Sequence, residues 1–178
     1  MKPLFVRKKV VPYQSLIDLL EDSKDKPFEY ASLYSEKGGT RVDPNIRSTS
    51  RKNPSAYEWI DINNSLLKML PSFGEDPNEY EVREYNILEY QTGDKFSEHI
   101  DRITRGEPRQ YSTSTIIQAS DDLEGGELVI KSSDGFVTDL NLEIGETVMF
   151  SSSTKHEVLE VTKGVRLVLV AWIYKKKS

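Results

Sequence analysis

The sequence predicts a mainly β fold with flanking helices, an antiparallel sandwich or jelly roll. Three observations predict it. From Tyr80 onward, eight short β-branched and aromatic segments follow one another: Tyr80–Tyr90, Phe96–Asp101, Gln110–Gln118, Glu127–Lys131, Phe136–Leu140, Thr147–Phe150, His156–Val161 and Arg166–Tyr174. Turn residues separate them, among them Gly93, Gly125-Gly126, Gly145, Gly164 and the hairpin pair Asp134-Gly135. Ahead of Tyr80 only two helical patterns occur, enough to buttress one sheet.

The first helical pattern is Pro12 to Ser23, with Leu16, Leu19 and Leu20 on one face. Phe28 to Ser35, with Tyr30 and Tyr34, reads as a strand. Gly38 to Ser55 is polar and turn-rich and carries Arg41, Arg47, Arg51 and Lys52, so a long loop is expected there, a candidate lid. Ala56 to Leu70 is the strongest helix, because Trp59, Ile62, Leu66 and Leu70 make an apolar stripe that Pro71 stops. One domain over 1–178 is expected, with helical support and lid to about 79 and a jelly-roll core over about 80–174.

Composition narrows the function. With 37% hydrophobic and 30% charged residues the chain reads as an ordinary globular protein, and a formal charge of -5 argues against a nucleic-acid partner. The absence of cysteine excludes disulfides, iron–sulfur clusters and thiol nucleophiles. Lys2, Arg7, Lys8 and Lys9 precede no apolar stretch of signal-peptide type, and no segment approaches a membrane span. A cytoplasmic location is the expectation. Neither a nucleophile elbow nor a phosphate-binding glycine loop is present. The acidic residues of Asp121 to Glu127 read as a turn rather than as paired glycosidase carboxylates.

The chemistry concentrates in His99-Ile100-Asp101. On a strand, residues two apart point to one face, so both side chains can meet one ion. The second of the chain's two histidines, His156, lies in a later strand-like segment. Two imidazoles and a carboxylate form the facial triad of non-haem Fe(II) oxygenases, and the same donors also suit zinc. Histidines packed in a core would satisfy the pattern equally.

Arg166 stands ten positions after His156 inside the apolar run Val165 to Val170. A guanidinium there needs an anionic partner, either a structural carboxylate or a bound one held by its planar fork. Trp172 shares its strand parity and is expected to line the same interior, or the core.

Several motifs occur together. They are Tyr90-x-x-Gly93-x-x-Phe96-x-x-His99-x-Asp101, Arg109-x-x-Ser112, Asp122-Leu123-Glu124-Gly125-Gly126-Glu127-Leu128, Gly145-x-x-Val148-x-Phe150, His156-x-Val158 and Val161-Thr162-x-Gly164-x-Arg166. In this order they resemble the prolyl-4-hydroxylase-like branch of the Fe(II)/2-oxoglutarate dioxygenases, over about Tyr80 to Trp172. The resemblance implies a double-stranded β-helix in which His99, Asp101 and His156 hold Fe(II). It also implies that Arg166, where some members have lysine, pairs with the distal carboxylate of 2-oxoglutarate. Tyr90 falls where the family has a cosubstrate tyrosine, and Ser114 and Val158 fall on pocket-lining positions. The implied reaction consumes O₂ and 2-oxoglutarate, releases succinate and CO₂, and hydroxylates a C–H bond, with ascorbate as a supporting reductant. A carboxylate at Asp101, rather than glycine or alanine, favours hydroxylation over halogenation.

The family points to a peptidyl proline as substrate, with small molecules open. Arg47, Arg102 and Trp172 are the candidate substrate contacts, and Arg51 and Arg105 stand near them in sequence. Two rivals are carried beside this reading. One is a non-catalytic jelly-roll binding module, and the other is a cupin-type zinc or manganese enzyme.

Overall fold

The computed structural model of the chain describes residues 1–30, 33–34, 40–41, 47–102 and 106–178, with 33–34 and 40–41 as backbone alone. In chain order these are β1 (Phe5–Lys8), α1 (Tyr13–Asp22), β2 (Glu29–Tyr30), β3 (Leu33–Tyr34), β4 (Thr40–Arg41), β5 (Ser50–Lys52) and α2 (Ile60–Leu67). Then follow β6 (Tyr80–Tyr90), β7 (Phe96–His99), β8 (Tyr111–Ala119), β9 (Glu124–Gly125), β10 (Leu128–Lys131), β11 (Val137–Leu140), β12 (Thr147–Ser151), β13 (Lys155–Val158), β14 (Val161–Lys163) and β15 (Arg166–Lys175).

Among the described residues, seven strands form a major sheet in the order β1-β12-β8-β15-β6-β5-β2, and four form a minor sheet, β11-β10-β13-β7. The architecture is mainly β with flanking helices, as the strand spacing predicts. Two layers of apolar side chains follow from it. Leu16, Leu19, Ile62, Leu66 and Leu70 of the helical layer pack on Tyr85, Ile87, Ile117, Leu169, Ala171 and Ile173 of the major sheet. Between the sheets lie Leu88, Tyr90, Phe96, Ile116, Ile130, Val148, Phe150, Val158 and Val168. β15 is covered on both faces, which explains why its sequence is a near-continuous apolar run. Its even-numbered residues face the space between the sheets, and Leu169, Ala171 and Ile173 face the helices. Full burial of side chains such as Leu66 and Ile173 contributes roughly 1.5–3 kcal/mol each.

Four expectations are corrected. The Ala56–Leu70 helix is broken into a 3-10 turn at Ala56–Glu58, α2, and a second 3-10 turn at Leu70–Phe73. Trp59 sits at φ -110, ψ 63, outside the helical region, and the carbonyl of Ala56 accepts from the Asn63 side chain. At the other end Pro71 opens the second turn, and Gly74 closes it at φ 76. The Gly38–Ser55 loop is not a loop over its last part: Arg47 bridges Phe96, and β5 joins the edge of β6. Residues 38–39 and 42–46 lie outside the described residues, as do Arg105 and the side chain of Arg41.

The third correction is that β7 ends at His99, so His99 and Asp101 do not share one strand. The fourth is that His156–Val161 is two strands. The chain leaves β13 at Leu159 and re-pairs as β14 with β9. That crossing requires Gly125 at φ 77, since a Cβ there would stand 2.2 Å from the Glu160 carbonyl oxygen. The Asp134-Gly135 signal does mark a hairpin, joining β10 to β11 through residues 132–136.

Candidate metal centre

β7 and β13 are neighbours in the minor sheet, and His99 lies directly opposite His156. Opposed residues of an antiparallel pair project to the same face. The ladder slips between His156 and Val158, which pairs with Phe96, so β7 carries one extra residue. The bulge brings Phe96 and His99, three apart in sequence, onto the same inner side. Their rings stack at 3.5 Å between centroids, 18° from parallel. The two imidazole centroids are 4.2 Å apart, and Phe150 packs 4.7 Å from His156.

Asp101 arrives from beyond the end of β7. Its backbone N–H and that of Arg102 both donate to the Ser152 carbonyl, at 2.9 and 2.8 Å. The Ser152 hydroxyl is in turn 2.9 Å from that of Ser112. The indole Nε1 of Trp172 donates to Asp101 Oδ2 at 3.1 Å.

Protonation decides what this cluster can do. His99 Nδ1 lies 2.7 Å from the Ser97 carbonyl and His156 Nδ1 2.9 Å from that of Thr154. A carbonyl only accepts, so each Nδ1 carries the proton and each Nε2 presents a lone pair. Those Nε2 atoms face Asp101 at 3.4 and 3.5 Å. One ligand atom from each residue falls within 4.8 Å of the others. The two imidazole lone pairs and the Asp101 carboxylate, buried or half-buried, converge on one another, a donor set that suits a cation. The three groups perturb one another. Burial pushes His99 down, Asp101 holds His156 up against burial, and the two imidazoles keep Asp101 well below the usual carboxylate range despite its burial.

Arg166 opens β15, opposite Tyr90 of β6 and Ala119 of β8. It is 6% exposed. Its guanidinium lies 5.0 Å from the Tyr90 ring centroid, and Nη1 donates to the Gly126 carbonyl. Nε is buried with no hydrogen-bond partner, and no carboxylate among the described residues forms an ion pair with it. The structural salt bridge that the sequence left open is therefore absent among those residues. Burial lowers the Arg166 pKa, with Tyr90 and Glu127 opposing, yet a guanidinium keeps its charge. The arrangement leaves a desolvated cation in want of an anion.

The remaining expected residues divide. Tyr90 is 1% exposed between the sheets, where burial pushes its hydroxyl up. Ser114, opposite Val170 and Val148, is buried, as is Val158 beside Phe96 and Tyr90. Arg47 is buried with its guanidinium 4.4 Å above the Phe96 ring, so a stack of Arg47, Phe96 and His99 forms. Trp172 faces inward, and its indole reaches Asp101. The Arg102 side chain is exposed. Phe96, Phe150, Ser152 and Gly126 were given no role from sequence. Phe96 and Phe150 stand in the family motifs but act through ring contacts that the motifs do not specify, and Ser152 acts through a carbonyl that no residue pattern announces.

A profile of the 2OG-Fe(II) oxygenase superfamily matches residues 85–174, just over half of the chain. The chain belongs to that superfamily. Membership implies Fe(II) and 2-oxoglutarate, and the convergent donors and the buried guanidinium with its unpartnered Nε fit the two groups. A PKHD-type hydroxylase of Rippkaea orientalis is 36% identical over 143 residues, 72% of this chain and 60% of that protein. One of Acaryochloris marina is 38% identical over 85 residues, 47% of this chain and 38% of that protein. The matched stretch thus spans less than two thirds of either relative. A crystal structure of a Pseudomonas putida prolyl-4-hydroxylase superposes with a TM-score of 0.71 at 18% identity, covering 98% of this chain and 94% of that one. That likeness establishes the fold, the double-stranded β-helix.

Proposed function

We propose that this oxygenase is a Fe(II)- and 2-oxoglutarate-dependent hydroxylase whose ion is held by His99 Nε2, His156 Nε2 and one oxygen of Asp101. Iron so held supplies O₂ activation coupled to decarboxylation of 2-oxoglutarate, with succinate, CO₂ and a hydroxylated C–H bond as products. With three protein donors, an ion held there would keep coordination positions for cosubstrate and O₂. The chain's own residues do the rest. Ser97 and Thr154 fix the imidazole tautomers, while Phe96 and Phe150 hold the rings and exclude water. Arg166 anchors the distal carboxylate of 2-oxoglutarate beside Tyr90, with Ser114 and Val158 lining the space between.

A peptidyl proline or a related small molecule is the substrate class this reading favours. The PKHD-type hydroxylases and the prolyl-4-hydroxylase named above support it. Arg47 and Trp172, which reach the inner face at Phe96 and Asp101, are its proposed contacts, with Arg102 outside at the rim. The observation that carries the proposal is the convergence of three donor groups in the same barrel as a buried guanidinium that forms no ion pair among the described residues. The test is succinate release from 2-oxoglutarate with Fe(II) and ascorbate, then a screen of prolyl peptides and metabolites for a mass gain of one oxygen. Succinate formation that survives in His99→Ala, or none under any condition with zinc bound natively, would overturn it.

A further inference from the structure

Glu84 is an acid on the inner face of β6 that neither the triad nor the cosubstrate anchor uses. The β6–β15 ladder slips between Trp172 and Ile173, leaving Arg83 as the extra residue and setting Glu84 opposite Trp172. Its carboxylate accepts both arms of the Arg109 fork, from Nε at 3.3 Å and Nη2 at 2.7 Å, and also the Tyr174 hydroxyl. Arg109 is 6% exposed, and its guanidinium lies 3.9 Å above the Trp172 ring. Its Nη1 points at the Asp101 main-chain oxygen, 3.4 Å away. Trp172 closes the path with its indole hydrogen bond to Asp101 Oδ2.

We infer that Glu84 is a positioning residue for the metal-binding carboxylate, acting through Arg109 and Trp172. The inference rests on reading His99, Asp101 and His156 as the metal site. A carboxylate can take an ion with one oxygen or with both. The indole donor on Oδ2 would compete with an ion for that oxygen and so favour binding through the other oxygen alone. The direction of that indole N–H is set by the ring, the ring is covered by a guanidinium, and the guanidinium is held by two bonds to Glu84.

Co(II) binding to the full chain tests this without any substrate. Glu84→Gln is expected to weaken Co(II) affinity about ten- to a hundred-fold, the range for partners that orient a metal ligand. The visible Co(II) bands should shift, while the protein remains folded in chelator at the assay temperature. Glu84→Asp should recover part of the affinity. Trp172→Phe should weaken Co(II) similarly, and the double variant should be no worse than the weaker single one, because both act on one path. Wild-type Co(II) affinity and spectrum in Glu84→Gln would overturn the inference while leaving the metal site intact, as would fully additive losses. If the wild type and His99→Ala bind Co(II) alike, the metal reading falls and this inference falls with it.

Discussion

Replacing Arg166 with methionine separates a cosubstrate anchor from a structural cation. The guanidinium is buried, donates one bond to the Gly126 carbonyl, leaves Nε unpaired, and has no carboxylate partner among the described residues. A structural ion pair broken at one end costs about 3–5 kcal/mol. Here that term is missing. Methionine keeps much of the apolar stem, loses one charge-assisted hydrogen bond worth about 1.5 kcal/mol, and relieves the cost of a buried charge. The expected change in stability without ligand is therefore within about 1 kcal/mol of zero. Binding tells the opposite story. Two charge-assisted bonds to a carboxylate at about 1.5 kcal/mol each give about 3 kcal/mol, a weakening of 2-oxoglutarate near 150-fold. Titration calorimetry with Mn(II)-loaded protein reads the affinity, and urea unfolding reads the stability. Unchanged 2-oxoglutarate affinity together with a loss above about 3 kcal/mol of stability would refute the reasoning and return Arg166 to the scaffold.

Single alanine substitutions at His99 or His156 should remove most Mn(II) binding, measured by electron paramagnetic resonance, since two donors remain from a converging set of three. Gly126→Ala should destabilise the fold by about 1–3 kcal/mol and weaken 2-oxoglutarate binding in calorimetry. A Cβ at φ 72 would stand 2.9 Å from Val161 Cγ2 and 3.4 Å from Arg166 Cδ. Glu75 accepts from Lys2, Tyr80 and Tyr111, and these donors draw its pKa down to about 2. A depressed carboxylate pKa contributes stability that is full above the ordinary value near 4.5 and is lost as pH falls towards 2. The urea-midpoint gap between wild type and Glu75→Gln should therefore be constant above pH 4.5 and close near pH 2. A gap that persists at pH 2 would place its origin elsewhere.

The inward alternation of Arg166, Val168, Val170 and Trp172 could be read from parity because β15 is unbroken on that side. The parity argument for His99 and Asp101 reached a correct proximity by the wrong route. β7 stops at His99, and Asp101 is placed by hydrogen bonds from its own N–H and that of Arg102 to the carbonyl of Ser152, a residue far along the chain with no pattern to mark it. The helix over Ala56–Leu70 failed for a related reason. Its apolar stripe is real, but the Asn63 side chain took the Ala56 carbonyl that the next helical turn would have used.

By itself, the sequence determined the β character of the second half, the donor types of the site and an apolar run containing one arginine. These depend on local periodicity and on side-chain chemistry, which each residue carries wherever it is folded. Only the tertiary structure decided that His99 opposes His156, that a bulge stacks Phe96 on His99, that Arg166 forms no ion pair among the described residues, and that Glu84 reaches Asp101 through two intermediaries. Those facts depend on ladder register and on which buried polar atoms find partners. Register is a joint property of strands far apart in the chain, so no single segment contains it.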